Sequence, residues 1–256
     1  MVHPGSFRLL ARASALSVTF AFGLVAQAIV RRFSPGLAHR MTVPFHRLIC
    51  RILGIRRKIV GNVPPSGPVL IVSNHISWLD IVILGSVLPV SFVAKSEVGG
   101  WPGAGLLARA QRTIFVDRRS RQATGSVATS IASRLQEGDM IALFAEGTTS
   151  DGNRILPYRS SLIGAAGGGE TAILPVALIY TARGGLALTR RERPGIAWYG
   201  DMALFPHLIA LLRAPPLDVT LRLGERLPMG SGADRKQVAI LAERFAREAL
   251  AVERRV

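Results

Sequence analysis

His75 and Asp80 stand five residues apart within Ser73-Asn74-His75-Ile76-Ser77-Trp78-Leu79-Asp80. A neutral imidazole can take a proton from a hydroxyl, while a carboxylate fixes its tautomer and stabilises the imidazolium that forms. The same residues also suit a turn histidine and an aspartate matched to the dipole of a helix N-terminus. Spacing alone leaves both readings open.

The elements around the pair are easier to read. Val69-Leu70-Ile71-Val72 is an uninterrupted apolar run after Pro68, as expected of a buried strand. Residues 78–88 read as a helix, with Ser77 placed to cap it and Asp80 in its first turn. Three later strands also carry suggestive residues: Ile114-Phe115-Val116-Asp117-Arg118, ending in an acid and a base; Phe144-Ala145-Glu146-Gly147-Thr148-Thr149-Ser150, running into a polar turn; and Ile173-Leu174-Pro175-Val176, broken by a proline. Each alone has a plain explanation: an ion pair, a tight turn, an edge-strand proline. Parallel sheets, however, gather the carboxyl ends of their strands around one crevice.

The chain of 256 residues carries a net charge of +16. No Asp or Glu precedes Asp80, while residues 1–79 hold ten Lys or Arg. Ala13 to Val30 is a run of 18 uncharged residues, roughly 27 Å as a helix and close to a bilayer's thickness. Ala26-Gln27-Ala28 offers a signal-peptide cleavage site, but the arginines directly after it favour an uncleaved anchor, spanning or re-entrant. The more basic C-terminal flank puts the rest of the chain on the cytoplasmic side. Residues 43–58 read as an amphipathic helix, apolar at Phe45, Leu48, Ile49, Ile52 and Leu53. Its cations, Arg47, Arg51, Arg56, Arg57 and Lys58, suit an anionic lipid surface; packing on the domain is the other use of such a face. Cys50 is the single cysteine and reads as buried packing.

From Ile59 onward strands and helices alternate. Strands are expected at 69–72, 90–94, 113–116, 139–145, 172–179, 196–199 and 217–223, and helices at 78–88, 106–110, 122–136 and 233–252. The expected fold is α/β, a mostly parallel mixed sheet flanked by helices, with an N-terminal membrane-anchoring helical segment. Residues 1–60 would be the anchor and basic helix, and 61–256 the catalytic domain.

These four segments resemble, in order, the four blocks of the glycerolipid acyltransferase family, which includes the bacterial lysophosphatidic acid acyltransferases. Asn74, His75 and Asp80 match N-H-x-x-x-x-D, with Ser77 and Trp78 of the usual type. Phe115 to Arg118 match F-V-D-R. Phe144, Glu146, Gly147, Thr148 and Ser150 match F-P-E-G-T-R-S, and Leu174-Pro175-Val176 matches a V-P-V-like strand. The resemblance covers roughly residues 60–225. It implies that His75 is the general base on an acceptor hydroxyl and Asp80 its orienting partner. Arg118 would bind an anionic head group, and Glu146 and Gly147 would help form the acceptor site, with Asn74, Ser77, Thr148 and Thr149 beside them. Family members transfer an acyl group from an acyl carrier protein or coenzyme A thioester to a lysolipid, and no cofactor or metal is expected.

Two departures stand out. Ala145 replaces a proline, and Thr149 stands where many members have an arginine that contacts the acceptor's phosphate. Losing a bidentate cation weakens phosphate recognition, although Arg118, Arg154 or Arg159 could supply one. Phe144 to Arg154 and Ala197-Trp198-Tyr199-Gly200-Asp201-Met202 resemble the bacterial branch that acylates lyso-ornithine lipid. The resemblance therefore implies an O-acyltransferase at the bacterial inner membrane, facing the cytoplasm, with lyso-ornithine lipid favoured over 1-acylglycerol-3-phosphate. The alternative from another class is a non-catalytic basic protein that binds membrane or nucleic acid, but nothing resembles a nucleic-acid module.

Overall fold

The computed structural model describes residues 4–64, 67–101, 103–116, 121–164, 171–229 and 234–254. Three helices come first, α1 (Pro4–Phe33), α2 (Pro35–Arg40) and α3 (Thr42–Leu53), then β1 (Ile55–Val60) and β2 (Val69–Ser73). α4 (Leu79–Gly85), β3 (Val90–Lys95), α5 (Ala104–Ala110), β4 (Ile114–Val116), α6 (Arg121–Gln136) and β5 (Met140–Phe144) follow. The remainder is α7 (Ser160–Ile163), β6 (Thr171–Arg183), β7 (Leu186–Ala187), α8 (Leu204–Arg213), β8 (Leu217–Leu223), β9 (Leu227–Met229) and α9 (Arg235–Glu253).

The strands form one mixed sheet in the order β1-β8-β6-β2-β5-β3-β4, with β7 and β9 also on β6. From β6 to β4 all pairs are parallel, and β8, β7 and β9 run antiparallel to β6. β2 and β5 are buried at every residue, which is why both read as unbroken apolar runs. Their side chains alternate between two cores. Val69 and Ile71 pack with α3, α4 and α8 through Ile49, Leu53, Leu79, Ile83 and Leu212. Leu70 and Val72 pack with α6 and α9 through Ile131, Leu135, Ala242 and Ala246.

Chain order determines what meets β2. After β2 the chain crosses to β3 and β4, and it returns only later to place β5 on one side of β2 and β6 on the other. The carboxyl ends of β2 and β5, distant in sequence, thus lie side by side against the middle of β6. Ser73 pairs with Phe144 of β5 and Val176 of β6, and β6 runs on past the end of β2. Pro175 lies inside this strand rather than at an edge of the sheet. Its carbonyl accepts Gly224 N–H at 2.8 Å, so its nitrogen faces the break between β9, paired up to Ile173, and β8, paired from Val176. No ladder bond is lost there.

The structure corrects three readings. Residues 43–58 are not one helix: α3 stops at Leu53, capped by Gly54 at φ +73°, and the chain then enters β1, parallel to β8. Only glycine adopts that left-handed turn without strain. Arg56, Arg57 and Lys58 therefore lie on an edge strand of the main sheet, where Arg56 pairs with Asp218 and Arg57 donates to Ser86. The apolar face of α3 is spent on the core through Ile49 and Leu53, with Phe45 and Ile52 against it. Residues 196–199 form no strand but a loop after a 3₁₀ turn at Arg193–Gly195. Ser77 does not cap α4: its hydroxyl is buried with no partner among the described residues, and Asp80 instead binds the amides ahead of α4. Cys50 is buried, as expected.

α1 is long and apolar, about 45 Å from its 30 residues. It lies along the domain. Arg12 donates to the carbonyls of Leu211, Leu212 and Ala214 at the C-terminus of α8, at 3.3, 3.2 and 2.8 Å. Leu16 is buried, and Phe20 packs edge-on against Phe45. Phe7 and Leu10 near its start, and Val18, Phe22, Val25, Ile29 and Phe33 at three- and four-residue spacing, stay exposed as an apolar stripe.

Candidate active site

The turn between β2 and α4, residues 74–78, carries the candidate pair. Each of its inner peptide groups has a partner. His75 N–H donates to Glu146 Oε2 at 3.2 Å, and His75 C=O accepts Ser150 N–H at 2.9 Å. Ile76 N–H and Ser77 N–H donate to Asp80 Oδ2 at 2.6 and 2.9 Å. Ile76 C=O accepts Trp198 N–H at 2.9 Å, and Ser77 C=O accepts Asp80 N–H at 3.0 Å. Buried backbone groups must be paired, and here partners from the loops after β5 and β6 fix the turn.

His75 Nδ1 lies 2.8 Å from Asp80 Oδ2. Asp80 is 0 % exposed, and with three N–H groups on Oδ2 it is an ionised carboxylate held by donors. It therefore holds the proton on Nδ1 and leaves Nε2 as the acceptor. Among the described residues nothing bonds Nε2, and the imidazole side chain is 17% exposed. The ring stacks on Phe144 with centroids 3.8 Å apart and planes 6° from parallel, so the imidazolium formed on proton uptake would lie over an aromatic face.

Asn74 is fully buried, and its amide is used at both ends, accepting Leu178 N–H and donating to Leu178 C=O, each at 2.9 Å. Glu146 is also buried. Besides His75 N–H it accepts Leu156 N–H at 3.0 Å. Burial raises its carboxyl to about 8, and the two backbone donors and Arg247 only partly offset this. Gly147 has φ +71°, with Arg159 so close that a Cβ would come within 3.0 Å of Arg159 Nε. Thr148 is exposed and Thr149 half-buried, both on the turn after Glu146. Arg118 lies outside the described residues. The tertiary structure thus brings Asn74, His75, Ser77, Asp80, Glu146 and Gly147 together.

Two participants went unread in the sequence. Trp78 Nε1–H donates to His207 Nδ1 at 3.0 Å, and His207 Nε2 bonds Ile196 C=O at 3.1 Å, tying α8 to the start of α4. Tyr180 O–H donates to Asp80 Oδ1 at 2.6 Å. His207 lies in an apolar segment and Tyr180 in a strand, so neither spacing nor composition marked them.

The His75–Asp80 pair thus sits in a strand-to-helix turn that the polar turn after β5 closes from one side, and comparison with known proteins gives the class. The acyltransferase family profile matches residues 55–179. A lyso-ornithine lipid O-acyltransferase of Brucella abortus is 44% identical over 231 residues, covering 88% of this chain and 86% of its own. One from Rhizobium meliloti is 43% identical over 204 residues, 77% of this chain and 70% of its own. The crystal structure of the 1-acyl-sn-glycerophosphate acyltransferase of Thermotoga maritima has the same fold, with TM-score 0.71 at 17% identity over 96% of this chain and 95% of that one. The chain belongs to the acyltransferase family, and the protein is an enzyme of that class.

Proposed function

We propose that this enzyme moves a fatty acyl group from an acyl carrier protein or coenzyme A thioester to the hydroxyl of lyso-ornithine lipid. His75 Nε2 takes the proton of that hydroxyl as its oxygen attacks the thioester carbonyl. The tetrahedral intermediate collapses, the carbon–sulfur bond breaks, and the thiolate leaves with the proton returned by the imidazolium. A thioester is already activated, so deprotonation and positioning supply much of the acceleration. The single observation that carries this reading is the His75–Asp80 contact at 2.8 Å, which leaves Nε2 without a bond among the described residues on a ring whose side chain is 17% exposed.

Asn74, Glu146 and Asp80 hold the turn, and their buried polar atoms are already occupied by protein. The acceptor's head group falls to exposed Thr148 and half-buried Thr149 on the turn after β5, and to exposed Arg159, ahead of α7 and beside Gly147. Lyso-ornithine lipid is favoured over lysophosphatidate because Thr149 offers no second cation for a phosphomonoester, and because the Brucella and Rhizobium relatives carry that name. The apolar stripe of α1 suits the hydrocarbon of a bilayer, with Arg8, Arg31 and Arg32 near its ends for anionic head groups. We read α1 as the anchor at the cytoplasmic face of the bacterial inner membrane, lying against the domain.

The test is acyl transfer by detergent-solubilised protein, with lyso-ornithine lipid and lysophosphatidate offered separately to each thioester donor. Transfer to lyso-ornithine lipid that His75→Ala abolishes, with vesicle binding retained, is expected. Equal turnover in His75→Ala would overturn the general-base role, and transfer to lysophosphatidate alone would overturn the acceptor.

A further inference from the structure

Asp80 Oδ2 is saturated by three N–H donors, which leaves Oδ1 as a buried carboxylate oxygen in need of its own. Along β6 the side chains facing the same core as Asp80 are Leu174, Val176, Leu178 and Tyr180. The first three are aliphatic, and the fourth, level with the catalytic turn, brings the hydroxyl. Tyr180 is 4% exposed, and its O–H reaches Oδ1 at 2.6 Å, short as charge-assisted bonds are. The pairing of β6 with β8 shifts register between Tyr180 and Ala182, so a bulge directly follows the tyrosine, a device that re-aims a strand's side chains.

We propose that Tyr180 is a positioning residue of acyl transfer: its phenol occupies the second oxygen of Asp80 and so sets the orientation and proton affinity of His75. The proposal rests on His75 being the base. A donor on Oδ1 withdraws charge from the carboxylate, which then stabilises an imidazolium less. The phenol thus shares the charge of the carboxylate that orients the imidazole. It stays a donor across the working range, because burial first, and Asp80's charge second, push its own ionisation well above that of an ordinary tyrosine. Among the described residues, the other charged or titratable groups near the pair include Cys50 on α3, near Tyr180, Glu146 after β5, bonded to His75 N–H, and Arg193, which lines a small cavity with Ile76 and Tyr180.

Tyr180→Phe removes one oxygen and no volume. The expected result is a loss of about ten-fold in kcat/KM, from one unsatisfied buried acceptor, with KM for the acceptor unchanged and the acid limb of the pH–rate profile moved upward. Loss of activity with an unmoved profile would reduce Tyr180 to packing, and activity within two-fold of the parent with an unmoved profile would also overturn the proposal. Should Tyr180→Phe not fold, fluorine NMR of protein labelled with 3-fluorotyrosine reads the coupling without turnover. The sequence has three tyrosines, so Tyr158→Phe and Tyr199→Phe assign the Tyr180 resonance by elimination. That resonance should move with pH in the parent and stand still in His75→Ala. A resonance indifferent to both would sink the proposal. Full turnover in His75→Ala would remove the base and this proposal together, whereas an inactive His75→Ala with an unmoved Tyr180→Phe profile would remove this proposal alone.

Discussion

Asn74 and Leu178 are joined as two strands would be: the side-chain amide of one takes the backbone N–H and C=O of the other, both at 2.9 Å. β2 has ended one residue earlier, so the asparagine extends its pairing with β6 through the point where the chain turns toward α4. Only a primary amide offers donor and acceptor at that spacing. Asn74→Asp keeps the size but turns a carboxylate oxygen toward the Leu178 carbonyl. It should cost about 3 kcal/mol of stability and lower activity through misplacement of His75, measurable by thermal unfolding and turnover on one preparation.

Glu146 gives the enzyme a pH-dependent stability. Its buried carboxyl, raised to about 8, keeps its proton in the folded chain where the unfolded chain has released it. The folded state then binds more protons, so this group's contribution is full below the ordinary glutamate range of about 4.3 and is lost as pH rises through about 8. The melting temperature should decline from pH 5 to pH 8.5. Glu146→Gln should flatten that slope, though at a lower baseline, because its amide nitrogen must face one of the two N–H groups. An unchanged slope in the variant would place the titration elsewhere.

Thr149 tests what the acceptor's head group meets. Thr149→Arg adds a bidentate cation beside Gly147, and the ratio of lysophosphatidate to lyso-ornithine lipid turnover should rise about ten-fold. Arg159→Ala should raise KM for the acceptor and leave kcat nearly unchanged, as loss of uniform binding does. A reduced kcat at constant KM would show that Arg159 acts on the chemistry instead.

Arg12 holds α1 to the end of α8 with three bonds to carbonyls at that helix's C-terminus. Arg12→Ala should weaken that docking by about 1–2 kcal/mol. The measurable sign is faster limited proteolysis between α1 and α3, with vesicle binding kept by the apolar stripe.

The sequence determined the local pieces. The apolar runs of β2 and β5, the dipole-matched Asp80 and the glycine turn after Glu146 are dictated by neighbours along the chain. The four ordered motifs were enough to read the family and the His75–Asp80 pair. Where a local rule was misapplied, one residue explains it: Gly54 converts the end of an apparent amphipathic helix into a strand, and the periodicity around it ran on by coincidence. Residues 196–199 looked like a strand because they are apolar, but their apolar side chains serve a loop laid against Ile76.

Tertiary structure alone decided which distant groups complete the turn. Asp80 collects donors from its own loop and from a tyrosine 100 residues on, and Glu146 bonds the His75 amide from 71 residues away. Such pairings follow from chain return: β5 and β6 settle on either side of β2 only after β3 and β4 are laid down, and no periodicity along the chain records that adjacency. The residues that could do the chemistry were legible one at a time. Their partners were not, because a hydrogen bond across a sheet is a property of strand order, which the core's packing selects.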